Sequence, residues 1–231
     1  MGRFSFTAVV LLTLLAGKRG ELRTVQTFLA EGADIDEQDG GGFTSLHASI
    51  MHGHSAMTRY LLEQGADVNV AAIYGVTPLH VAGDAGTVRQ LLEKGARVDT
   101  WAKTRGTPLH AAVNQNSPQA VQLLLEAGAP LNTGDVNGSS ALHHAAGKGR
   151  ESIVRLLIDA GASVNAVNDL DFTPLHWAAG NGHGGVVGVL MESGAVPGMK
   201  SHSGLTAYDM ALARDHPDVA GILKIGDTDP S

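Results

Sequence analysis

The sequence has 231 residues, of which 43% are hydrophobic, so the chain is long enough and apolar enough to bury a substantial core. Its formal net charge of −7 argues against nucleic-acid binding through a basic surface. The lack of cysteine excludes disulfides, thiolate zinc sites and a cysteine nucleophile, and no apolar run reaches the roughly 20 residues that span a bilayer.

The first stretch of the chain, GRFSFTAVVLLTLLAGKRGEL at residues 2–22, has a basic residue near its start, an apolar centre and a basic pair near its end. This pattern fits a secretion signal, which would place the protein outside the cytoplasm. The same residues also fit the first helix of a packed domain. The rest of the chain bears on which of these interpretations is better.

A short motif recurs along the chain at a nearly constant interval. Its copies are TSLH at 44–47, TPLH at 77–80, TPLH at 107–110, SALH at 140–143, TPLH at 173–176 and TAYD at 206–209. Successive copies are 33, 30, 33, 33 and 33 residues apart. A second series keeps the same phase, with the members EQGADVN, EKGARVD, EAGAPLN, DAGASVN and ESGAVPG. Two series in one phase indicate a structural repeat.

Each repeat contains the signals for two helices. A Thr or Ser hydroxyl is a good N-cap, and the Pro that often follows is tolerated because its missing N–H would be unpaired at the first helical position. The next Leu, such as Leu46 or Leu175, is predicted to point into the core. A second helix carries apolar pairs such as Leu61–Leu62, and Gly65 follows where a left-handed C-cap excludes most side chains.

A unit of about 33 residues with two helices, a hairpin turn and the signature T-P-L-H-x-A resembles the ankyrin repeat. The resemblance covers nearly the whole chain and implies an all-α fold, an α-solenoid of helix-turn-helix units joined by β-hairpin-like loops. It implies a single domain over residues 1–226, followed by a short polar tail at 227–231. The expected units are residues 8–37, 38–71, 72–101, 102–134, 135–167, 168–200 and 201–226.

The third unit is three residues shorter than each of the three units that follow it. When GELRTVQTFL of the first unit is aligned with GDAGTVRQLL of the third, the second helices match position by position. This alignment places the loss between His80 and Gly83, inside the first helix. Alternatively, Gly86 is the glycine between the helices and the second helix is short. Either arrangement predicts a local depression in one face of the repeat stack. The deletion is either tolerated without a function, or it creates a recess shaped for a ligand.

The repeat template also accounts for the opening segment. It places Gly20 between the two helices of the first unit, so Leu12, Leu14 and Leu15 belong to the first helix. Cleavage as a signal would remove half of this unit, although terminal units normally shield a repeat stack. The sequence therefore predicts a capping helix and a cytoplasmic protein. A secreted or periplasmic protein is the alternative if residues 1 to about 17 are a signal peptide.

Eleven histidines invite a search for metal or acid–base chemistry. Five of them end the repeated motif, and the resemblance implies that these imidazoles bridge backbone groups of neighbouring hairpins. His54, His183 and His216 share a second repeat position and are also interpreted as structural. The remaining three are His52, His144 and His202. They lie in different units, and no P-loop, HExxH or GxSxG motif accompanies them, so we predict no catalytic residue, no cofactor and no metal ligand.

The resemblance implies that partners bind to the concave surface formed by the hairpin tips and the first helices. Five of the ten aromatic residues fall at these positions, and exposed aromatics anchor binding hot spots. The candidate partner-binding residues are Phe43, Tyr74, Val76, Trp101, Lys103, Arg105, His144, Phe172 and Trp177. Of these, Trp177 also fits a packing position between adjacent helices.

These features favour a non-catalytic interaction module or adaptor, acting as a monomer, that binds a partner protein or peptide and no nucleic acid. The alternative is a small-molecule-binding protein or an unorthodox enzyme, for example of a biosynthetic pathway. It would use a recess at the shortened third repeat, near Val81–Gly86, with Asp84 and Arg105. A metabolite that raises the thermal unfolding midpoint by several degrees would favour this alternative.

Overall fold

The computed structural model describes residues 18–226, with side chains described through Lys224. Within that range the chain forms thirteen α-helices, one short 3-10 helix at Ile73–Gly75 and no β-strand. The predicted all-α class is therefore confirmed. The expected first helix of the first repeat, with Leu12, Leu14 and Leu15, lies outside the described residues, as does the polar tail at 227–231.

The helices follow the two-helix pattern of the repeat. In chain order they are α1 (Leu22–Ala30), α2 (Ser45–Met51), α3 (Ser55–Glu63), α4 (Pro78–Val81), α5 (Ala85–Glu93), α6 (Pro108–Asn114), α7 (Pro118–Glu126), α8 (Ala141–Gly147), α9 (Glu151–Asp159), α10 (Pro174–Gly180), α11 (Gly184–Glu192), α12 (Ala207–Ala213) and α13 (Pro217–Gly226). Even-numbered helices are the first helices of their repeats, and odd-numbered ones are the second helices. Contacts group the elements into two larger compact units, which divide between Ala111 and Ala112. From here on, the first unit and the second unit are these two parts of the chain, and the shorter sequence units are called repeats.

The first helices begin where the motif predicts, at a Thr or Ser N-cap. At the start of α2, the Thr44 hydroxyl accepts a hydrogen bond from the His47 N–H at 3.4 Å. In return, the Nδ1 atom of His47 accepts one from the Thr44 N–H at 3.2 Å. The same reciprocal capping box starts α4, α8, α10 and α12, with Asp209 in place of histidine in α12. The last residue of the motif is therefore part of the cap.

The second helices bury one apolar face and end at a glycine. In α3, the buried side chains include Met57, Leu61 and Leu62. Gly65 then has a φ of 89°, and its N–H donates to the Leu62 carbonyl at 3.4 Å. The next N–H, from Ala66, donates to the Leu61 carbonyl at 3.0 Å, which completes a Schellman motif. The left-handed glycine cap predicted from the sequence is confirmed.

The motif leucines form the centre of the core. Each is at most 1% exposed: Leu46, Leu79, Leu109, Leu142 and Leu175. Buried alanines such as Ala145 and Ala178 let the first helices of neighbouring repeats in the second unit pack closely. No helix in the described range is long and apolar enough to cross a membrane.

The three missing residues of the third repeat come from its first helix. Helix α4 has 4 residues, whereas α2, α8, α10 and α12 have 7 each. The following helix α5 keeps the 9 residues that α1, α3, α7, α9 and α11 have, so the loss between His80 and Gly83 is confirmed. Asp84 is the N-cap of α5, and its Oδ1 accepts a hydrogen bond from the Thr87 N–H at 2.8 Å. This carboxylate, which the recess hypothesis assigned to a ligand, caps a helix.

Candidate functional site

Four of the motif histidines connect one repeat to the next through backbone carbonyls. The pairs of Nε2 and carbonyl oxygen are His47–Val76 (3.1 Å) and His80–Gly106 (3.1 Å) in the first unit, and His143–Phe172 (2.8 Å) and His176–Leu205 (3.1 Å) in the second. Because a carbonyl oxygen only accepts, Nε2 carries the proton and Nδ1 is left to accept the N–H of the cap. Both ring nitrogens are therefore occupied, and the predicted structural role is confirmed for these four.

Burial makes these bridging imidazoles neutral. It lowers the pKa of His47, His80 and His143 to about 4, and it moves the pKa of His176 in the same direction. The carbonyl that accepts from Nε2 opposes this shift without cancelling it. A histidine that stays neutral near pH 7 suits a structural bridge, because the bridge requires one donor and one acceptor on the ring.

A second set of histidines also contacts the backbone of a preceding repeat. The Nε2 atoms of His54 and His183 lie 2.9 and 3.1 Å from the carbonyl oxygens of Lys18 and Gly147. The ring of His216 packs against the inter-helix glycine of the preceding repeat. These contacts agree with the structural interpretation from the sequence. In residues 18–226, no group of three or more His, Asp or Glu side chains is placed to hold a metal ion.

Backbone hydrogen bonds tie the tips of neighbouring hairpins together. The N–H to carbonyl pairs are Ile73 to Gly41 (2.9 Å) and Lys103 to Tyr74 (2.9 Å) in the first unit, and Asp169 to Asn137 (3.1 Å) and His202 to Leu170 (2.9 Å) in the second. Each pair occupies the same two positions relative to the caps of its repeats. The tip side chains are therefore displayed from a regular backbone arrangement.

The hairpins differ in how each tip is held internally. Asp39, Asp135 and Asn168 share one repeat position, and the Oδ1 of each accepts two N–H groups of its own tip. Each hairpin takes the number of the repeat that it opens, so the third and fourth hairpins are those that start the third and fourth repeats. They have Ala72 and Ala102 at this position. Backbone hydrogen bonds close these two hairpins, such as that from the Ala102 N–H to the carbonyl of Gly106 at 2.8 Å. The equivalent backbone bond is also present in the hairpins with Asp or Asn, as from the Asp39 N–H to the carbonyl of Phe43 at 2.9 Å. These two hairpins therefore lack the additional side-chain acceptor that Asp or Asn supplies to the tips of the second, fifth and sixth hairpins.

The third and fourth hairpins carry the exposed aromatic side chains of the first unit. Tyr74 is 62% exposed and Trp101 is 44% exposed. Ile73 is 50% exposed beside Tyr74, and Lys103 and Arg105 are exposed on the fourth hairpin. Sequence reasoning selected four of these five residues, and the structure places all five on adjacent tips.

Two other candidate residues of the first unit have packing contacts. Val76 is only 4% exposed, because it precedes the cap at the point where the chain enters the core. Its side chain is not available to a partner, so Val76 is removed from the candidate set. Phe43 is partly buried, and its ring meets the ring of His47 edge-on at 5.5 Å between centroids.

Tyr74 has an unusual backbone conformation, with φ 64° and ψ 17°. The Gly75 N–H donates to the Ala72 carbonyl at 3.0 Å, so Tyr74 is the third residue of a tight turn. A positive φ at that position favours Gly or Asn, and a bulky residue there costs on the order of 1 kcal/mol. A Cβ added at Gly75 would lie 2.7 Å from the Trp101 carbonyl oxygen, so the third and fourth hairpins approach closely.

In the second unit, His144 joins a first helix to the hairpin that precedes it. Its Nε2 atom lies 2.8 Å from Oδ2 of Asp135. Burial alone would raise the pKa of Asp135, but hydrogen bonds from the Asn137 N–H, from His144 and from the Ser139 N–H outweigh burial and lower it. The carboxylate therefore stays ionised while it holds both the hairpin tip and the His144 ring.

Trp177 lies between helices α8 and α10. Its ring is 5.5 Å from that of His144 and 5.8 Å from that of His143, edge-on in both cases. Gly147 leaves room for the indole, since a Cβ added there would lie 2.7 Å from it. Phe172 is partly buried like Trp177, and its ring is 5.8 Å from that of His176. These two aromatics therefore pack mainly against their own unit.

Asp135 and Val136 belong to the tip surface of the second unit, although the motif pattern did not single them out. Val136 is 53% exposed at the tip that Asp135 closes. The signal that could have revealed Asp135 is the recurrence of Asp or Asn at its repeat position, as in Asp39 and Asn168. No comparable signal in the sequence marks Val136.

Models of ankyrin repeats match most of the chain. A model of three copies matches residues 13–102 and 83–168, and a model of many copies matches residues 157–211. Together these matches extend over well more than half of the sequence.

Curated relatives match shorter segments. The chain is 34% identical over 71 residues to potassium channel AKT1 of Arabidopsis thaliana, which is 31% of this chain and 8% of that protein. It is 34% identical over 67 residues to ankyrin repeat-containing protein P1E11.10 of Schizosaccharomyces pombe, which is 29% of this chain and 32% of that protein. It is 42% identical over 65 residues to ankyrin repeat and SAM domain-containing protein 6 of Mus musculus, covering 28% and 7% of the two chains. The matches thus span a third or less of these relatives.

Solved structures of ankyrin repeat domains match nearly the whole chain. The human ASB11 domain has a TM-score of 0.82 and 28% identity, and the match covers 95% of this chain and 99% of that one. The Bcl-3 domain has a TM-score of 0.74 and 30% identity, with 92% and 97% covered. The repeat models, the capping boxes and these structural matches agree, and the chain belongs to the ankyrin-repeat family.

Proposed function

We propose that this chain is a non-catalytic adaptor that binds a partner protein or peptide through its hairpin tips and the exposed faces of its first helices. Ankyrin repeats are in general protein–protein interaction modules, which supports the class of function. The family does not identify the partner, so the specific surface is argued from this chain's own residues.

The pair of exposed aromatics on neighbouring tips carries the proposal. Tyr74 and Trp101 are 62% and 44% exposed, and rings of this size contribute strongly to affinity when a partner covers them. The hydrogen bond from the Lys103 N–H to the Tyr74 carbonyl, at 2.9 Å, ties the two tips together. Because the tips are already ordered, binding would cost less conformational entropy than it would on a mobile loop.

In the second unit, the proposal assigns a supporting role to His144, Phe172 and Trp177. All three are partly buried, so each offers a partner only part of its side chain. Leu170 is 55% exposed on the sixth hairpin and offers more apolar surface. We therefore expect substitutions at the tips to affect binding more than substitutions at Trp177.

The test uses a partner identified by in-cell cross-linking in the native host and then purified. Isothermal titration calorimetry would compare its affinity for the wild type and for Tyr74→Ala/Trp101→Ala. We expect the double variant to bind at least about 30-fold more weakly, because two anchor residues are removed. A folded double variant that binds with wild-type affinity would show that these tips are not the binding surface.

A matched control removes exposed apolar side chains that lie elsewhere. Val196 and Ile222 are 50% and 40% exposed and belong neither to a hairpin tip nor to a first helix. Val196→Ala/Ile222→Ala is expected to keep the wild-type affinity. Circular dichroism spectra of both double variants would confirm that they fold.

We further propose that the protein acts as a monomer in the cytoplasm. The support is the repeat pattern of the sequence, which extends into the opening segment and gives that segment a role within the first repeat. The intact mass of the protein from its native host tests this proposal. Loss of residues 1 to about 17 would contradict it and favour secretion, and sedimentation velocity would reveal any larger assembly.

A further inference from the structure

Two exposed cationic residues belong to the same pair of neighbouring hairpins as the exposed aromatics of the first unit. Lys103 and Arg105 are exposed on the fourth hairpin, and the Lys103 N–H is bonded to the carbonyl of Tyr74 on the third. We call Ile73, Tyr74, Trp101, Lys103 and Arg105 the basic tip surface. This surface is positively charged although the chain as a whole has a net charge of −7.

Within residues 18–226, no acidic side chain pairs with Lys103 or Arg105. Several other cations in this range do have such a partner. These pairs are Lys18–Asp39 (3.8 Å), Arg97–Asp99 (3.2 Å) and Arg155–Glu151 (3.0 Å). The charges of Lys103 and Arg105 are therefore available to a bound molecule.

The fifth and sixth hairpins, which belong to the second unit, have the opposite charge at their tips. On the sixth hairpin, Asp169 and Asp171 flank Leu170, and all three residues are exposed. On the fifth hairpin, Asp135 precedes the exposed Val136. Among the hairpins of the described residues, positive charge together with exposed aromatics thus occurs on the third and fourth and is not a general property of the tips.

We propose that the basic tip surface binds an extended acidic segment of a partner polypeptide, with an aromatic or aliphatic residue among its Asp or Glu residues. The proposal rests on the proposed function and names the chemistry of the partner. Carboxylates of the segment pair with Lys103 and Arg105, and its apolar side chain packs on Tyr74 and Trp101. Attraction between unlike charges speeds association and disfavours basic segments.

Cations beside aromatics also occur in sites for single-stranded nucleic acids. Such sites follow the phosphate backbone with a continuous positively charged groove. Here the positive charge comes from two side chains, and the exposed Asp99 lies two residues before Trp101 in the sequence. This limited charge suits a short acidic peptide better than a nucleic acid. Binding of a single-stranded oligonucleotide is therefore kept as a result that would contradict the proposal.

The test is a selection of short random peptides, displayed on phage, against the full-length protein. We expect the selected peptides to be enriched in Asp and Glu around an aromatic or aliphatic residue, and to bind less tightly as salt is added. A selection against Lys103→Glu/Arg105→Glu is expected to favour Lys and Arg instead. Arg89→Glu/Lys94→Glu reverses two exposed charges on or next to α5 and is expected to keep the preference for acidic peptides.

Fluorescence anisotropy with one selected acidic peptide gives the quantitative comparison. We expect Lys103→Glu/Arg105→Glu to bind it at least about tenfold more weakly than the wild type, and the α5 control to bind it equally well. Peptides that depend on Tyr74 and Trp101 but show no acidic preference would overturn this proposal and leave the proposed function intact. Peptides whose affinity is unchanged by every tip substitution would count against both this proposal and the proposed function.

Three further results would also overturn the proposal. One is a selection that yields no enriched peptide. Another is tighter binding of a single-stranded oligonucleotide than of the acidic peptide. The third is concentration-dependent self-association that Lys103→Glu/Arg105→Glu abolishes, which would make a second copy of the chain the occupant of the surface.

Discussion

The two tryptophans of the chain show how one residue type serves two purposes. The Trp177 indole lies over Gly147 and edge-on to the rings of His143 and His144. Trp101 is 44% exposed on a hairpin tip, where its backbone approaches Gly75 of the preceding hairpin. The first tryptophan therefore contributes to the packing of its own unit, and the second offers apolar surface to solvent.

Substituting each tryptophan by alanine is expected to separate stability from binding. Trp177→Ala should lower the free energy of unfolding by about 2–3 kcal/mol, because it leaves a space between α8 and α10. Trp101→Ala should change it by less than about 1 kcal/mol and weaken partner binding instead. Urea denaturation and a binding titration on both variants check these expectations. Equal losses of stability would contradict the different environments of the two rings.

Tyr74→Asn is expected to leave the protein as stable as the wild type or up to about 1 kcal/mol more stable, since Asn tolerates a left-handed backbone better than Tyr. It should also weaken partner binding, because the exposed ring is lost. Urea denaturation and peptide anisotropy measure the two effects. Tyr74→Phe is the control that keeps both the ring and the strained backbone. A large loss of stability in Tyr74→Asn would argue against a positive φ at this residue.

At the scale of helices and hairpins, the repeated motifs predicted most of the fold because each depends on short-range chemistry. The Thr44 cap is completed by His47, three residues later, and the cap of α3 is completed by Gly65 and the residue that follows it. The shortened helix α4 could be located because α5 retains its sequence pattern. Local signals of this kind can be recognised without knowledge of any distant contact.

Features that depend on contacts between elements could not be read from the motifs. Whether Val76 points inward or outward depends on the path of a hairpin whose base is Ala72, where the second, fifth and sixth repeats have Asp or Asn. The pair His144–Asp135 joins a helix and a hairpin nine residues apart, and nothing in either motif specifies it. The composition of the tips could be predicted, but the exposure of each tip side chain could not.

Inserting Ala-Gly-Lys after Ala82 is expected to lengthen α4 by nearly one turn. These residues copy Ala146–Lys148 of the fifth repeat, where Ala146 is fully buried. Burial of one added methyl group should raise the free energy of unfolding by about 1 kcal/mol, and the far-ultraviolet circular dichroism at 222 nm should increase. Gly-Gly-Ser at the same site is the control, and it should not stabilise the protein. Equal stability of the two insertions would show that the site does not accept a longer helix.

Across the whole molecule, the bridging histidines couple folding to pH. Burial lowers the pKa of His47, His80 and His143 to about 4, below the ordinary value of 6.5. In the unfolded chain these histidines take up protons as the pH falls below about 6.5, whereas in the folded chain they remain neutral until about pH 4. The stability that they contribute is therefore fully present above pH 6.5 and is lost progressively as the pH falls towards 4.

We expect the free energy of unfolding to decrease between pH 6.5 and 4.5, with each such histidine contributing about 1 kcal/mol per pH unit in the middle of that range. Urea denaturation at several pH values measures the slope. His143→Gln should lower the free energy of unfolding at pH 7. It should also reduce the slope of that free energy against pH by about 1 kcal/mol per pH unit, since one titrating group is gone. A slope of zero in the wild type would contradict the low pKa values of these histidines.

The hydrogen bonds from the Lys103 N–H to the Tyr74 carbonyl and from the Ile73 N–H to the Gly41 carbonyl tie the second, third and fourth hairpin tips together, and they are made by main-chain atoms alone. No tip side chain takes part in them, so the outward residues can be exchanged while the scaffold beneath keeps its hydrogen bonds. A library randomised at Ile73, Lys103 and Arg105 should therefore contain mostly folded proteins. The same hairpin backbone could therefore bind new targets if only its outward side chains were changed.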